Sequence, residues 1–211
     1  SGFTRSGDAK DIPVALARRA QQQPLKITLI TGASLGHDSD KILVEAGVLA
    51  RRMPFQVDTT LRAAINRGEV MFTDQHLSET VEFLRAGQYG DLDVALLEAV
   101  AITEDGGIVP SSSVGNSASF AILAKKIIIE LNLAQPAEFE GLHDIWIPHR
   151  RPDREPLPLT RVSDRIGSAT VHVPPEKIAA IVITRTPDSP SNAQAPDAET
   201  QQIANYLIEF F

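Results

Sequence analysis

Val94-Ala95-Leu96-Leu97-Glu98-Ala99 and Lys126-Ile127-Ile128-Ile129-Glu130-Leu131 are short, almost unbroken apolar runs. A half-exposed strand alternates apolar and polar residues. A run that stays apolar at consecutive positions fits a strand covered on both faces, the habit of parallel sheets. Between the two runs, Glu104-Asp105-Gly106-Gly107 is a turn signal and Ile108-Val109 can return as a hairpin strand. Residues 117–125 then read as a helix. Strand, crossover helix and strand make a βαβ unit.

The same alternation continues outward. Residues 12–22 place apolar side chains at 12, 15, 16 and 20, a helical spacing. Residues 26–31 (KITLIT) are β-branched and read as a buried strand. Helices are expected over 39–46, over 58–66 with Asp58 or Thr59 as cap and Gly68 as stop, and over 78–86 with Ser78 as cap and Gly87 as end. Short strands are expected at 70–72 and 178–184. Four prolines and many charges mark 148–158 as a surface excursion. Residues 186–196 (TPDSPSNAQAP) are linker-like in composition. Asp197 then caps a last helix with Ile203, Leu207 and Phe210 on one stripe. The fold class is α/β, a mostly parallel sheet flanked by helices.

The chain has 211 residues, enough to bury a core without a covalent staple. It contains no cysteine, so disulfides, Cys-ligated zinc and a thiol nucleophile are excluded within it. A reducing, cytoplasmic setting fits that composition. The net charge of -7, with no sustained run of Lys or Arg, argues against nucleic acid as partner. The apolar runs fall far short of the ~20 residues of a membrane span. Both ends read as cut: the chain opens on Ser1 and stops on Phe210-Phe211 within an amphipathic pattern.

Four constellations carry chemistry. Thr31-Gly32-Ala33-Ser34-Leu35-Gly36 follows a strand and precedes a helix, where an α/β sheet places its ligands. A dinucleotide site would need a glycine at position 38, which is Asp38, and a Tyr-x-x-x-Lys pair that is missing. A plain strand-to-helix turn is the other reading. Ser111-Ser112-Ser113-Val114-Gly115-Asn116-Ser117 could hold a carboxylate or thioester oxygen, or Asn116 or Ser117 could simply cap the next helix. Asp74, His76 and Glu79 could ligate a metal, but no second histidine follows at helical spacing; a histidine hydrogen-bonded within a turn competes. Glu98 and Glu130, each near the end of an apolar strand, are either a nucleophile or base, or satisfied partners of a backbone N–H or an arginine.

A resemblance spans essentially the whole chain. Ser1-Gly2-Phe3-Thr4, Leu29-Ile30-Thr31-Gly32-Ala33-Ser34, Ile65-Asn66-x-Gly68-Glu69 and Asp74-x-His76-Leu77 occur in order. Ala101-Ile102-Thr103-Glu104-Asp105-Gly106-Gly107-Ile108-Val109-Pro110, Ser113-Val114-Gly115-Asn116-Ser117 and Leu142-His143-Asp144-Ile145 follow. Asp164-Arg165-Ile166-Gly167 and Pro175-x-Lys177-Ile178-Ala179-Ala180-Ile181-Val182 complete the set. Together they resemble the N-terminal half of the acetyl-CoA hydrolase/transferase family, which includes succinyl-CoA:acetate CoA-transferases.

That resemblance implies a class I CoA-transferase-like fold, with two similar α/β domains facing across a cleft. It implies coenzyme A as substrate, no tightly bound cofactor and no metal. An acyl-CoA and acetate, or another short carboxylate, would be the partners, and the reaction would pass through a glutamyl-CoA thioester. The nucleophilic glutamate belongs to the family's second half, so no catalytic residue is expected in this chain, and the chain alone is expected to be inactive. Substrate-binding residues are expected at Gly2, Phe3, Thr4, Ser34, Gly115 and Asn116. The expected organisation is an α/β domain over 1–185, a linker-like loop over 186–196 and a helix over 197–211 leading toward a C-terminal domain. A homodimer is compatible with it. The competing function is a non-catalytic acyl-CoA or nucleotide-binding α/β module.

Overall fold

The computed structural model describes residues 5–33, 35–190 and 193–211. The N-terminal part builds a three-stranded parallel sheet, ordered β1 (Ile27–Ile30), β2 (Leu49–Met53), β3 (Met71–Phe72). Helices α1 (Asp11–Gln22), α2 (Ser39–Glu45) and α3 (Thr59–Asn66) accompany it. Their apolar stripes close one core around Leu43, Val48, Leu49, Leu61 and Ala64. Asp58 caps α3 as expected, its side chain accepting from Leu61 N at 2.8 Å.

The second sheet runs β5-β4-β6-β7: β4 (Val94–Ile102), β5 (Ile108–Pro110), β6 (Lys126–Asn132) and β7 (Ile178–Thr184). β4 pairs parallel with β6, and β6 with β7; only β5 is antiparallel, the hairpin return of β4. Helices α4 (Thr80–Arg85) and α5 (Ser117–Leu123) pack near β4, over a core of Leu97, Ala99, Phe120, Ile127 and Ile129. The α/β class and the mainly parallel pairing are therefore observed, divided between two sheets.

Three local expectations are revised. β2 has no counterpart in the sequence reading, because Arg51 and Arg52 sit inside it and break its apolar pattern. The helix expected from Ser78 begins at Thr80 after a 3-10 turn, Leu77–Glu79. The ring of His76, not Ser78, accepts the turn's backbone N–H.

β7 is nearly bare. Of its seven residues only Thr184 is buried, and Ile183 is 62% exposed. The last helix, α6 (Ala198–Phe210), buries none of its residues, although Asp197 caps it through Thr200 N at 2.8 Å.

Candidate functional site

Side chains alternate across a strand, so one face of β4 and β6 carries Ala95, Leu97, Ala99, Ile127 and Ile129 into the apolar core. Glu98 and Glu130 fall on the opposite face. They are paired directly across the two strands and are 3% and 0% exposed. Two neighbouring carboxylates repel, and each must be compensated to be buried at all.

The compensation differs. Glu98 takes the Lys10 ammonium, the Ser111 hydroxyl and, at 2.6 Å, the Asn132 amide. Glu130 instead accepts backbone N–H groups: Lys10 at 2.9 Å, Asp11 at 3.1 and 3.2 Å, and Ile12 at 3.2 Å. These are the orphan donors at the start of α1. Lys10, at the N-cap position, offers no side-chain cap. Glu130 supplies one from across the fold, where the helix dipole favours negative charge. Both glutamates are thus saturated partners, one of a backbone helix start and one of a lysine, and neither presents an uncommitted oxygen for nucleophilic attack.

Lys10, 1% exposed, also donates to the Asp8 carbonyl at 3.0 Å and pairs with Asp188 at 2.9 Å. Burial pulls its pKa down, but Glu98 and Asp188 outweigh that and leave it raised. Asp188 accepts from the Ser112 hydroxyl at 2.7 Å and from Gly7 N at 3.3 Å. Burial pushes its carboxyl up; Ser112, Lys10 and Gln135 overcome this and hold it below its ordinary value. On either side of Asp188, the Pro187 carbonyl meets the His37 ring at 2.7 Å and Ser189 Oγ accepts His37 N at 3.0 Å. Asp8 Oδ2 accepts Gly36 N at 3.0 Å, while its Oδ1 is buried without a hydrogen-bond partner. Asn132 donates to the Thr186 carbonyl at 2.6 Å.

Four loops therefore meet at the carboxyl ends of β4, β6 and β7: residues 5–10, 36–37, 111–112 and 186–189. Their approach is close. A Cβ at Gly7, whose φ is +69°, would stand 2.4 Å from the Ser113 carbonyl oxygen. A Cβ at Gly36 would stand 2.7 Å from Ser189 Oγ. Only glycine fits at Gly7, where the φ is left-handed and the obstacle is backbone; at Gly36 a Cβ would displace the Ser189 hydroxyl.

The turn after β1 has its own anchor. Arg52, fully buried in β2, forks onto Asp40 at 2.8 and 3.3 Å and donates to Thr31 Oγ1 at 2.9 Å and the Met53 carbonyl at 2.6 Å. Thr31 in turn donates to the Ala33 carbonyl at 2.6 Å.

Among the expected site residues, Gly2, Phe3, Thr4 and Ser34 lie outside the described residues. Gly7 and Gly36, a few positions from them, both enter the loop cluster. Gly115 is exposed with φ +50°, and Asn116 is half-buried at the start of α5, where its side chain makes no capping hydrogen bond. Both lie just beyond Ser112, at the edge of the cluster. His76, weighed as a metal ligand, hydrogen-bonds Ser78 Oγ at 2.7 Å within its own turn. The sequence reading missed Lys10, Arg52, Asn132 and Asp188. Lys10 and Asp188 give no local signal, because their partners lie far away in the chain.

The profile of the acetyl-CoA hydrolase/transferase N-terminal domain matches residues 1–183. The chain is 41% identical over 212 residues to a succinyl-CoA:acetate CoA-transferase of Clostridium kluyveri, covering all of this chain and 39% of that protein. It is 39% identical over 215 residues to a propanoyl-CoA:succinate CoA transferase of Escherichia coli, all of this chain and 44% of that one. It is 42% identical over 221 residues to an acetyl-CoA hydrolase of Schizosaccharomyces pombe, again all of this chain and 42% of the relative. The chain thus spans less than half the length of these curated relatives. RipA from Yersinia pestis superposes with a TM-score of 0.64 at 18% identity, over 99% of this chain and 43% of that one, a likeness of fold. With the profile matched along most of its length, the chain belongs to the acetyl-CoA hydrolase/transferase family, as that family's N-terminal domain.

Proposed function

We propose that this chain forms one wall of the active-site cleft of an enzyme that moves CoA between short acyl groups and acetate. The fold would be of the class I CoA-transferase kind. A glutamate outside these 211 residues would attack the acyl-CoA carbonyl and expel CoA thiolate, leaving a mixed anhydride. The thiolate would then attack the glutamyl carbonyl, release the first carboxylate and leave a glutamyl-CoA thioester. Acetate attack on that thioester, followed by return of the thiolate to the acetyl carbon, completes transfer; water in place of acetate gives hydrolysis.

The observation that supports this reading most is the convergence of the loops bearing the family's strings. The loop of Gly7, which follows Ser1–Thr4 in the chain, the loop of His37, which follows Ser34, and the loop of Ser112, which leads to Gly115 and Asn116, are tied to one rim by the Thr186–Ser189 segment. In this reading Gly2, Phe3, Thr4, Ser34, Gly115 and Asn116 face the substrates, and backbone N–H groups there stabilise the oxyanion of the collapsing thioester. Coenzyme A is substrate and no tightly bound cofactor is required. The saturation of Glu98 and Glu130 favours a nucleophile supplied from elsewhere.

The bare apolar surfaces of β7 and α6 suit the docking of a further α/β unit of the same polypeptide. A homodimer and a cytoplasmic setting complete the reading. Among the described residues, no helix is long and apolar enough to cross a membrane.

Thioester exchange between succinyl-CoA and acetate tests the proposal, with the 211-residue chain and the full-length polypeptide compared. Exchange by the full-length protein alone is the expected result. Exchange by the chain alone would overturn the external glutamate. CoA binding without exchange in the full-length protein would favour a non-catalytic acyl-CoA module.

A further inference from the structure

We infer that Asp188 is a positioning residue that clips together two of the loops placed at the substrates, an inference that rests on the CoA-transfer reading. Its segment has the composition of a linker but the contacts of a keystone. One carboxylate joins two segments distant from it and from each other: loop 5–10, through the Lys10 ammonium at 2.9 Å and Gly7 N at 3.3 Å, and loop 111–112, through the Ser112 hydroxyl at 2.7 Å. The flanking residues reach a third, since Pro187 and Ser189 bracket His37.

The geometry makes Asp188 a clip between two touching loops. Gly7 lies against the Ser113 backbone so tightly that a Cβ has no room. Asp188 accepts from Gly7 and from Ser112, the residue beside that contact, and so clips the two loops together. The loop of Gly7 follows the Gly2–Thr4 string; the loop of Ser112 leads to Gly115 and Asn116. Lys10 locks the clip to the sheet through Glu98. Lys10 is buried and Ser112 is exposed, so the carboxylate spans from the interior to the rim. A shift at Asp188 is transmitted directly to both loops. Displacement of about 1 Å at a binding wall can cost up to about a hundredfold in rate, so a partial loss of the clip is expected to be well within kinetic reach.

The test uses the full-length polypeptide with Asp188→Asn and, should that variant fold poorly, Ser112→Ala, whose hydroxyl is at the surface. Amide hydrogen exchange of the 5–10 and 111–113 segments is measured beside the steady-state kinetics of thioester exchange. Exchange of both segments is expected to quicken. KM for the acceptor carboxylate is expected to rise about tenfold, with kcat changed less than about threefold. Asp188→Asn and Ser112→Ala combined should raise KM by less than the product of the two single effects, because they remove one clip. Unchanged loop exchange, or loosened loops with an unchanged acceptor KM, overturns the inference while leaving an active wild type. An inactive wild type instead marks failure of the CoA-transfer reading itself.

Discussion

Among the described residues two cations are buried, one serving each sheet, and each is compensated differently. Arg52 serves the three-stranded sheet with a planar fork, and its side-chain partners, Asp40 and Thr31, lie within 21 residues of it. Lys10 serves the four-stranded sheet as a point charge shared between Glu98, 88 residues away, and Asp188 near the other end of the chain. A guanidinium presents its donors in a fixed geometry and suits a single bidentate partner. An ammonium has no plane and can gather carboxylates from several directions. Arg52 therefore stiffens one turn from within, whereas Lys10 joins segments far apart in the chain.

The largest loss is expected at Lys10. Lys10→Met leaves Glu98 buried without its cation, and the expected loss is about 3–5 kcal/mol in urea unfolding of the full-length protein. A cost below about 1 kcal/mol would mean that water reaches Glu98. Replacing Glu98 by leucine in the same variant should restore much of the loss, since buried pairs are often exchangeable for apolar packing. Arg52→Lys keeps the charge but loses the fork; about 1.5–3 kcal/mol is expected, and a neutral outcome would show that the fork is dispensable.

Glu130 sharpens the contrast, because it meets no side-chain cation. Glu130→Gln keeps one carbonyl acceptor for the start of α1 but removes the charge and turns the other acceptor into an NH2 that faces backbone N–H groups, so about 1–2 kcal/mol is expected in the same assay. The smallest effect lies in pH. Asp188 is held below its ordinary carboxyl value, so its stabilisation is present above about pH 4 and is lost as pH falls through its lowered folded value. Lys10 is raised, so its contribution is complete below about pH 10 and is lost as pH climbs through its folded value. Thermal denaturation against pH should lose part of its acid limb in Asp188→Asn. An unchanged acid limb would mean that Asp188 adds no linkage.

The sequence carried the repeating strands and helices because burial on both faces leaves a local apolar mark, as in Ile127–Ile129. It hid β2, since a strand carrying Arg51 and Arg52 looks polar although Arg52 is fully buried. The loops of the site were recognisable from their strings, but the bonds joining them were not. Asp188 lies in a stretch of Pro, Ser and Asp that reads as a spacer, and its partners are fixed only when β7 reaches the sheet edge beside β6. Glu98 and Glu130 share one register and one kind of position in a strand, yet only the fold assigns one to a lysine and the other to a helix start.

β7 has a practical consequence at the bench. It joins β6 on one side, and Ile181, Val182 and Ile183 lie open to solvent. Such an edge is a template for cross-strand pairing with any other chain. The 211-residue chain produced by itself should therefore turn cloudy as it is concentrated. A lysine in place of Ile183, pointing from the edge into water, is the simplest way to keep it clear for measurement.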